Sequence, residues 1–332
     1  MREDSIRKME KILEEHQILK DEPMKNHTTF RLGGPADLYL CPDRVEQVQK
    51  ILEVCKEEEL PYFILGNGSN LLVSDEGFRG VVIQIYKNMN QIQVEGERIR
   101  AQAGALLSSI AKKAAQAELT GMEFASGIPG TLGGASMMNA GAYGGEMKDI
   151  LASVTVLTPQ GEVLVLDSSQ LHMGYRSSVI REKGYIVLEA QLSLEKGDQE
   201  QIQAKMDDLK ERRVSKQPLE YPSAGSTFKR PEGYFAGKLI EDTGLRGYQV
   251  GGAKISDKHC GFVINTGDAT AADVVQLIRD VQDKVYEKFQ VRLETEVRFL
   301  GEYEICYSYG NVRSGEVFGF ENVGGCRVFL RG

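Results

Sequence analysis

The sequence predicts a protein of two or three domains that combines helices and strands. Its 332 residues exceed the usual length of a single domain and can enclose sizeable hydrophobic cores. A strand, a helix, a second strand and a glycine-rich turn follow one another before residue 71, an order typical of α/β structure. Helices and strand-like segments after residue 217 predict a smaller α+β domain.

Hydrophobic spacing and turn residues define the elements of the first part. Ile6, Met9, Ile12 and Leu13 recur at helical spacing, which predicts an amphipathic helix over 4–20 that Pro23 ends. Apolar runs and alternating patterns between turn residues predict the remaining elements. These are strands over 37–41, 62–65, 81–86 and 185–190, helices over 45–55 and 106–117, and hairpins over 91–103 and 154–166.

A polar and charged stretch separates the two parts. Residues 196–217 have little apolar stripe, a composition that suits an exposed helix between two domains. Beyond it we expect a helix after Tyr234, a strand over 261–265, a helix over 270–289 and a strand through Val297. After Gly301 no pattern indicates a structure or a role.

Composition excludes several classes of function. The 40 Lys and Arg against 48 Asp and Glu give a net charge of −8, which argues against sequence-independent binding of nucleic acid phosphates. Five cysteines without a CxxC pair indicate a reducing compartment, and four scattered histidines support neither a metal site nor a histidine-centred hydrolase. The charged N-terminus lacks a signal-peptide core, and no apolar run reaches the ~18 residues of a membrane span. We therefore expect a cytoplasmic protein without a metal, membrane or nucleic acid partner.

The first candidate site is the turn GNGSN at 66–70, which follows an apolar strand as phosphate-binding loops do. It fits neither common nucleotide motif. The Gly-Lys-Ser/Thr of a Walker loop is missing, and Leu71 stands where a dinucleotide fingerprint needs its third glycine. The turn residues suit an anion-binding loop and also an ordinary turn.

Glycines are denser still between residues 121 and 145, where periodicity disappears. Two clusters there, IPGTLGG at 128–134 and NAGAYG at 139–144, lie too close together to be ordinary turns between long elements. Small residues would let backbone amides approach the diphosphate of a dinucleotide that lies extended across both loops. A loop packed tightly against a helix is the alternative, and the residues alone leave both open.

Three further segments have complementary residue types. They are GYRSS at 174–178, AGSTFK at 224–229 and LETEVR at 293–298. Each also has an ordinary interpretation, because arginines, Gly-Ser turns and alternating glutamates commonly face water. Composition alone does not choose between these interpretations.

Together the motifs closely resemble one family, the UDP-N-acetylenolpyruvoylglucosamine reductases of bacterial peptidoglycan synthesis. They occur in the family's order and span about residues 26–301. Their combination is specific, although each motif alone is not. The motifs are NHTTFRLGGPA at 26–36, LGNGSN at 65–70, SGIPGTLGG at 126–134, NAGAYG at 139–144, GYRS at 174–177, AGSTFK at 224–229 and ETEVR at 294–298.

The resemblance implies an α+β fold with an FAD-binding half of the vanillyl-alcohol-oxidase type, made of two subdomains, and a smaller α+β substrate-binding domain. It implies an oxidoreductase in which NADPH reduces FAD, and the flavin passes hydride to the enolpyruvyl group of UDP-N-acetylenolpyruvoylglucosamine to give UDP-N-acetylmuramate. The activity would serve cell-wall synthesis, and through it cell shape and division. The expected divisions are an N-terminal helix (1–20), the FAD-binding domain (21–195, split near 80), a connecting helix (196–216), the substrate-binding domain (217–301) and a C-terminal tail (302–332).

The resemblance assigns the chemistry to three residues. Hydride delivery to the terminal enolpyruvyl carbon pushes negative charge onto the neighbouring carbon and its carboxylate, for which Arg176 is the matched cation. Ser226 matches the family's proton donor, and its weakly acidic hydroxyl needs nearby positive charge or a proton chain, for which Lys229 is the candidate. Glu296 matches the family's catalytic carboxylate, which must be protonated or bridged by water to hydrogen-bond the substrate carboxylate.

The remaining matched residues are assigned to the substrate and the cofactor. Lys216 corresponds to a phosphate-contacting lysine, although it also suits a solvated lysine of the linker. Tyr143 and Lys229 are placed at the substrate, although Tyr143 also suits buried packing. The expected FAD contacts are Gly66, Asn67, Gly68, Ser69, Asn70, Gly127, Ile128, Gly130, Thr131, Gly133 and Asn139.

One departure from the longer family members lies between Arg176 and Ser226. No inserted segment there is long enough to form their tyrosine-bearing loop, so the chain resembles the shorter subclass and its uridine contacts are unassigned. The alternatives are an FAD oxidase of alcohols or hydroxy acids and a non-catalytic nucleotide-binding module. The glycine clusters hold no His or Cys for a covalent flavin, which weakens the first, and convergence of the three catalytic residues would exclude the second. We expect a monomer, although no pattern determines the oligomeric state.

Overall fold

The computed structural model describes residues 3–303, which group into two compact units. Unit 1 comprises the residues up to 19, 38–67 and 81–215. Unit 2 comprises residues 20–37, 68–80 and those from 216 onward. The stretches 20–37 and 68–80 thus belong with the C-terminal part, although nearly all of both lies within the predicted FAD-binding domain. The predicted domain boundaries stay predictions, and most of the C-terminal tail lies outside the described residues.

The helices of the described residues are short, except for two in the second half. The α-helices are α1 (Glu3–Glu10), α2 (Val45–Glu57), α3 (Leu107–Gln116), α4 (Leu132–Met137), α5 (Val179–Glu182), α6 (Gln199–Lys216), α7 (Ala236–Asp242) and α8 (Ala271–Phe289). Single turns of 3-10 helix occupy Glu15–Gln17, Met24–Asn26, Glu123–Ala125, Met147–Asp149 and Ser168–Leu171.

Strands are distributed along the whole described chain. They are β1 (Ile18–Pro23), β2 (Pro35–Leu40), β3 (Tyr62–Leu65), β4 (Leu71–Val73), β5 (Phe78–Gln84), β6 (Ile92–Glu95), β7 (Arg98–Gln102), β8 (Leu119–Thr120), β9 (Gly141–Ala142), β10 (Gly145–Glu146), β11 (Leu151–Leu157), β12 (Val163–Asp167), β13 (Ile186–Ser193), β14 (Glu195–Lys196), β15 (Ser223–Ser226), β16 (Gln249–Val250), β17 (Ala253–Ile255), β18 (Phe262–Asn265) and β19 (Arg298–Leu300).

A five-stranded antiparallel sheet in the order β12-β11-β13-β7-β6 lies in unit 1. On its inner face Val154 stands opposite Leu166 on one side and Ala190 on the other. Ala190 in turn stands opposite Ala101. Along β6, β7 and the second half of β13, apolar residues alternate with polar ones. This period of two sets the register, because a shift by one residue would expose the apolar face.

A second sheet has the order β1-β2-β5-β3. Its strands β3 and β5 run parallel, with Tyr62 opposite Val81 and Leu65 opposite Gln84. A parallel pair needs a crossover connection rather than a tight turn. The connection from β3 to β5 begins with the glycine-rich turn 66–70, so that turn lies at the end of a half-buried strand.

The C-terminal part of unit 2 is built on the antiparallel sheet β15-β18-β17-β16, against which α8 packs. A capping box starts α8, since Oγ1 of Thr270 accepts the Asp273 N–H at 3.0 Å and the Asp273 carboxylate accepts the Thr270 N–H at 2.9 Å. The short strands β4 and β19 form a parallel pair, with Arg298 opposite Leu71.

Each unit has its own hydrophobic core. Burial of a large apolar side chain contributes about 1.5–3 kcal/mol relative to exposure. The core of unit 1 includes the fully buried residues Leu38, Val48, Ile83, Ile99, Leu107, Val154 and Leu192. The core of unit 2 includes Leu72, Ile255, Val263, Val274, Leu277, Ile278 and Val281.

The structure confirms most predicted elements, including β3, the exposed helix α6 and the long helix α8. The helix predicted over 4–20 is wrong in extent, since α1 ends at Glu10. The cause is the Gln17 side chain, which accepts the Glu14 N–H at 3.0 Å and donates to the Cys41 carbonyl oxygen at 3.0 Å. These bonds favour a 3-10 turn and a strand over a continued helix.

The strand predicted through Val297 begins one residue later, at Arg298. The N–H groups of Glu296 and Val297 both point to the carbonyl oxygen of Thr227, at 2.8 and 3.4 Å. Two donors on one acceptor interrupt the regular ladder at this point. Among residues 3–303, no helix is both long and apolar enough to cross a membrane.

Candidate active site

Two glycine-rich segments of unit 1 lie against each other. Asn67 follows β3, and its Nδ2 donates a hydrogen bond to the carbonyl oxygen of Pro129 at 2.7 Å. A Cβ atom added at Gly66 would lie 2.5 Å from Oγ1 of Thr131, the residue before α4. Because no side chain fits in that space, Gly66 is required for the two segments to pack together.

Contacts inside the protein also explain other glycines of the second segment. A Cβ at Gly133 would lie 3.1 Å from Cβ of Ala103, and one at Gly127 would lie 3.0 Å from Nε of Arg213 on α6. Nη1 of Arg213 also donates to the carbonyl oxygen of Gly127. Tight packing, the alternative considered for these loops, therefore accounts for Gly133 without a ligand, whereas the flexible Arg213 side chain can move away from a Cβ at Gly127.

Backbone amides provide the feature that fits a ligand. Within residues 3–303, the N–H groups of Asn67, Gly130 and Thr131 donate to no protein acceptor. The backbone around them is nevertheless fixed, since the Leu107 N–H donates to the Gly130 carbonyl oxygen at 3.1 Å. A fixed loop with unused amide donors fits the phosphates of a dinucleotide such as FAD. The Ile128 N–H, by contrast, is used within the loop, where it donates to Ala125 at 3.1 Å.

The rest of the first glycine turn, residues 68–70, belongs to unit 2. Gly68 has φ +61°, and a Cβ there would collide with the carbonyl oxygen of His27, so glycine is required. Ser69 is partly exposed. Nδ2 of Asn70 donates to the carbonyl oxygen of Glu296 at 3.0 Å. Asn70 thus fixes the backbone of the predicted catalytic glutamate, a role that no local sequence pattern indicates.

Ser226 ends β15, where it stands opposite Phe262 of β18. The register shifts between Ser223 and Ser226, and Gly225 within this bulge has φ +75°. A bulge changes the direction in which the following side chain points. Ser226 is exposed, whereas the next residue, Thr227, is buried. The bulge therefore presents the Ser226 hydroxyl at the surface of unit 2.

Glu296 lies on the segment beside Ser226. The Glu296 N–H donates to the Thr227 carbonyl oxygen at 2.8 Å, and the Lys229 N–H donates to the Glu294 carbonyl oxygen at 2.8 Å. These bonds align residues 226–229 with 294–297 and bring Ser226 and Glu296 onto adjacent segments. Nζ of Lys229 lies 3.0 Å from Oε2 of Glu294, so its charge is already shared with a carboxylate.

Arg176 stands in unit 1, in a turn formed by residues 174–177. Gly174 and Ser177 exchange backbone hydrogen bonds of 3.1 and 3.3 Å across the turn. Arg176 has φ +55°, in the left-handed region that few residues other than glycine adopt. Its Cζ lies 5.1 Å from the centre of the exposed Tyr175 ring. Strained backbone of this kind is concentrated at functional sites.

Asn139 is predicted to contact FAD, and the structure shows how its side chain is used. The residue is 1% exposed, and its Nδ2 donates to Oε2 of Glu146 at 2.6 Å and to the Gly174 carbonyl oxygen at 3.1 Å. Its Oδ1 accepts the Lys148 N–H at 2.9 Å. Both amide hydrogens are therefore engaged inside the protein, and Asn139 links three segments of unit 1.

Tyr143 is 44% exposed and has φ +54°. Buried packing, the alternative considered for this residue, therefore does not explain it. An exposed ring on a left-handed residue remains accessible to a ligand.

Lys216 is the last residue of α6 and is exposed. Its neighbour His259, which no sequence motif marks, has a pKa below the ordinary value of 6.5. Burial is the main cause, and the positive charges of Arg246 and Lys216 lower this pKa further. Nδ1 of His259 accepts the Gly261 N–H at 3.0 Å, so the neutral ring carries its proton on Nε2.

Two family models match the chain. One, described as "FAD binding domain", matches residues 36–167, and the other, described as "UDP-N-acetylenolpyruvoylglucosamine reductase, C-terminal domain", matches residues 217–300. The UDP-N-acetylenolpyruvoylglucosamine reductase of Alkaliphilus oremlandii is 54% identical over 292 residues, which are 88% of this chain and 96% of that protein. The chain belongs to the UDP-N-acetylenolpyruvoylglucosamine reductase family.

Further members of the family agree. The reductase of Clostridioides difficile is 55% identical over 291 residues, with coverage of 88% and 96%. The crystal structure of the reductase from Thermus caldophilus aligns with a TM-score of 0.74 at 37% identity, covering 86% of this chain and 98% of that one. The predicted α+β fold class, with an FAD-binding part and a smaller C-terminal domain, is confirmed. As a reductase of this family, the chain is an FAD-dependent oxidoreductase.

The two family models divide the candidate site residues of this reductase. The glycine loops at 66–70 and 127–134 lie inside the FAD-binding match, and Ser226, Lys229 and Glu296 lie inside the reductase C-terminal match. Arg176 and Lys216 lie between the two matched regions.

Proposed function

We propose that this chain reduces the enolpyruvyl group of UDP-N-acetylenolpyruvoylglucosamine with electrons from NADPH, giving UDP-N-acetylmuramate for peptidoglycan. The observation that carries the proposal is the alignment of Ser226 with Glu296 inside the region that matches the reductase C-terminal domain. Identity of 54–55% with reductases of this name over 88% of the chain supports the choice of substrate.

The residues that would hold FAD are those of the two glycine segments in unit 1. The unused N–H groups of Asn67, Gly130 and Thr131 are the donors for its diphosphate. Gly66 lets the two segments pack closely enough to present these donors together. When bound, FAD supplies the hydride chemistry, and the protein contributes binding, position and charge.

Arg176 stabilises the charge that develops on the substrate. Addition of hydride to the terminal CH₂ carbon leaves negative charge on the adjacent carbon and on the carboxylate attached to it. The guanidinium of Arg176 is planar and permanently charged, so it can bind that carboxylate through two hydrogen bonds. A preorganised donor aimed at developing charge typically lowers the activation free energy by ~3–4 kcal/mol.

Ser226 supplies the proton that completes the reduction. The proton goes to the carbon adjacent to the CH₂ group, so one hydride and one proton add across the double bond. Glu296 lies on the segment beside Ser226. It hydrogen-bonds the substrate carboxylate either as a protonated acid or through a bridging water. Because Lys229 is paired with Glu294, positive charge close to the Ser226 hydroxyl requires that ion pair to reorganise when substrate binds.

The other proposed contacts concern the nucleotide. Lys216 binds the diphosphate of UDP, since it is an exposed cation directly before the C-terminal match. Tyr143 lines the substrate with its exposed ring.

The test follows the flavin absorbance through two anaerobic half-reactions. The FAD-loaded protein is bleached with NADPH and then receives either UDP-N-acetylenolpyruvoylglucosamine or UDP-N-acetylglucosamine, which lacks the enolpyruvyl group. We expect the oxidised spectrum to return only with the first compound, together with formation of UDP-N-acetylmuramate. Return only on admitting oxygen would favour an oxidase, and a protein that takes up no FAD would contradict the cofactor assignment.

A further inference from the structure

Three side chains of unit 1 hold the turn that carries Arg176. Asn139 donates to the Gly174 carbonyl oxygen at 3.1 Å. Oγ of Ser178 donates to the Met137 carbonyl oxygen at 2.5 Å. Nη1 of Arg181 donates to the carbonyl oxygen of Arg176 itself at 3.1 Å. Of these bonds, only the last one reaches the peptide of Arg176.

The turn needs such support because of its backbone conformation. Arg176 has φ +55°, and a left-handed backbone is strained for a residue with a Cβ atom. Strained residues persist only where the surrounding structure determines them. A hydrogen bond to the Arg176 carbonyl oxygen fixes the orientation of the peptide plane that follows the strained residue.

Arg181 is itself well placed to give that support. It lies on the one-turn helix α5, whose N-cap residue Ser178 accepts the Arg181 N–H at 3.5 Å. The side chain is partly buried, so it has little freedom to leave the turn. Its fork of donors has one arm on the carbonyl oxygen, an arrangement that a single ammonium group reproduces only in part.

We propose that Arg181 is a positioning residue for Arg176. Its guanidinium holds the Arg176 carbonyl oxygen, keeps the Arg176 backbone left-handed and so directs the Arg176 side chain toward the substrate carboxylate. The proposal rests on the function proposed above for Arg176.

The first test compares Arg181→Met with Arg181→Lys and with the control Lys183→Met, which removes an exposed cation directly after α5. We expect Arg181→Met to slow reoxidation of the reduced flavin by UDP-N-acetylenolpyruvoylglucosamine about 10- to 100-fold, the usual result of a displacement near 1 Å at a reacting centre. Reduction by NADPH creates no enolate charge, so we expect its rate to change by about twofold or less. The reoxidation rate of Arg181→Lys should lie between those of Arg181→Met and the unchanged protein. The rate of Lys183→Met should equal that of the unchanged protein. Equal slowing of both half-reactions would overturn the proposal.

A second test separates positioning from general stability. In the Arg176→Met background the group to be positioned is gone, so adding Arg181→Met should cause no further slowing of reoxidation. The same slowing in both backgrounds would mean that Arg181 acts independently of Arg176, and the proposal would be wrong. If Arg181→Met does not fold, Arg181→Lys in the two backgrounds decides the question in the same way. Failure of the proposed function would show earlier, as an unchanged protein that the substrate does not reoxidise.

Discussion

Arg176 and Ser226, the two residues proposed to meet the developing charge and to supply the proton, are fixed by different means. The Arg176 turn closes through two backbone hydrogen bonds between Gly174 and Ser177, and side-chain hydrogen bonds from Asn139 and Arg181 tie it to its neighbouring segments. Ser226 lies in a backbone ladder, where the next residue donates to Gly261 at 2.9 Å and accepts from Glu296 at 2.8 Å. A turn held by side chains is sensitive to substitutions at other positions, whereas a ladder is sensitive to the conformation of its own backbone.

The largest expected effect comes from Ser226→Ala. Loss of a positioned proton donor typically slows the step it serves by about 10²–10⁴-fold, so reoxidation of the flavin by substrate should slow by that factor. Reduction by NADPH and thermal stability should stay close to those of the unchanged protein, because the hydroxyl is exposed. Ser108→Ala, an exposed serine on α3, is the control. Similar slowing of both half-reactions would exclude Ser226 as the donor.

Asn139→Ala tests the turn that is held by side chains. Removal of the buried amide takes one donor from Glu146 and one from the Gly174 carbonyl oxygen, and it leaves the Lys148 N–H without its acceptor. An unsatisfied buried group costs about 1–3 kcal/mol. We expect the free energy of unfolding to fall by that amount and reoxidation by substrate to slow with it. The exposed Asn90, changed to Ala, should lower stability by no more than about 0.5 kcal/mol. A variant with normal stability and a normal reoxidation rate would show that the turn 174–177 keeps its conformation without the Asn139 side chain.

Gly225→Ala tests whether the backbone bulge positions Ser226. Gly225 and Gly96 both have positive φ, +75° and +61°, and a Cβ at either would touch nothing within 4 Å. Each substitution to Ala should therefore cost about 1–2 kcal/mol in unfolding free energy, through backbone strain alone. Only Gly225→Ala should also slow reoxidation, because only that glycine sits in the bulge that presents Ser226. Identical reoxidation rates for the two variants would mean that the bulge does not position Ser226 for the reaction.

The smallest effect concerns pH and His259. Its pKa is lowered in the folded protein, so the unfolded chain binds more protons between that lowered pKa and the ordinary value of 6.5. The stability that comes from the neutral ring is present above 6.5 and is lost as the pH falls through the folded pKa. Chemical denaturation at several pH values should show a shallower acid decline for His259→Gln than for the unchanged protein. Parallel curves would mean that His259 is not buried in its neutral form.

Local patterns predicted the elements whose stability is local. Helix α8 combines apolar residues at helical spacing with a capping box at Thr270 and Asp273, and both signals are visible in the sequence. The prediction of a helix over 4–20 was wrong because a hydrogen bond from Gln17 to Cys41, 24 residues away, outweighs helical propensity.

The candidate site was predictable as a set of residues but not as a set of contacts. Resemblance to a family could match Glu296 and Arg176, because their motifs are continuous in sequence. The bonds from Asn70 to Glu296 and from Asn139 to Gly174 join residues 226 and 35 positions apart, and no local pattern encodes them. In the same way, the sequence showed that residue 66 is glycine and could not show that Thr131 fills the space beside it.

The composition of unit 2 from three stretches of chain has a consequence for how it forms during synthesis. Strand β4 at 71–73 finds its partner in β19 at 298–300, and the buried phenol of Tyr303 closes on the Leu72 carbonyl oxygen at 2.7 Å. Strand β4 must therefore wait for its partner until almost all of the described chain has left the ribosome. Such non-local closure makes folding slow. A fragment that begins at residue 217 would lack that partner strand, so unit 2 cannot be excised as one continuous piece.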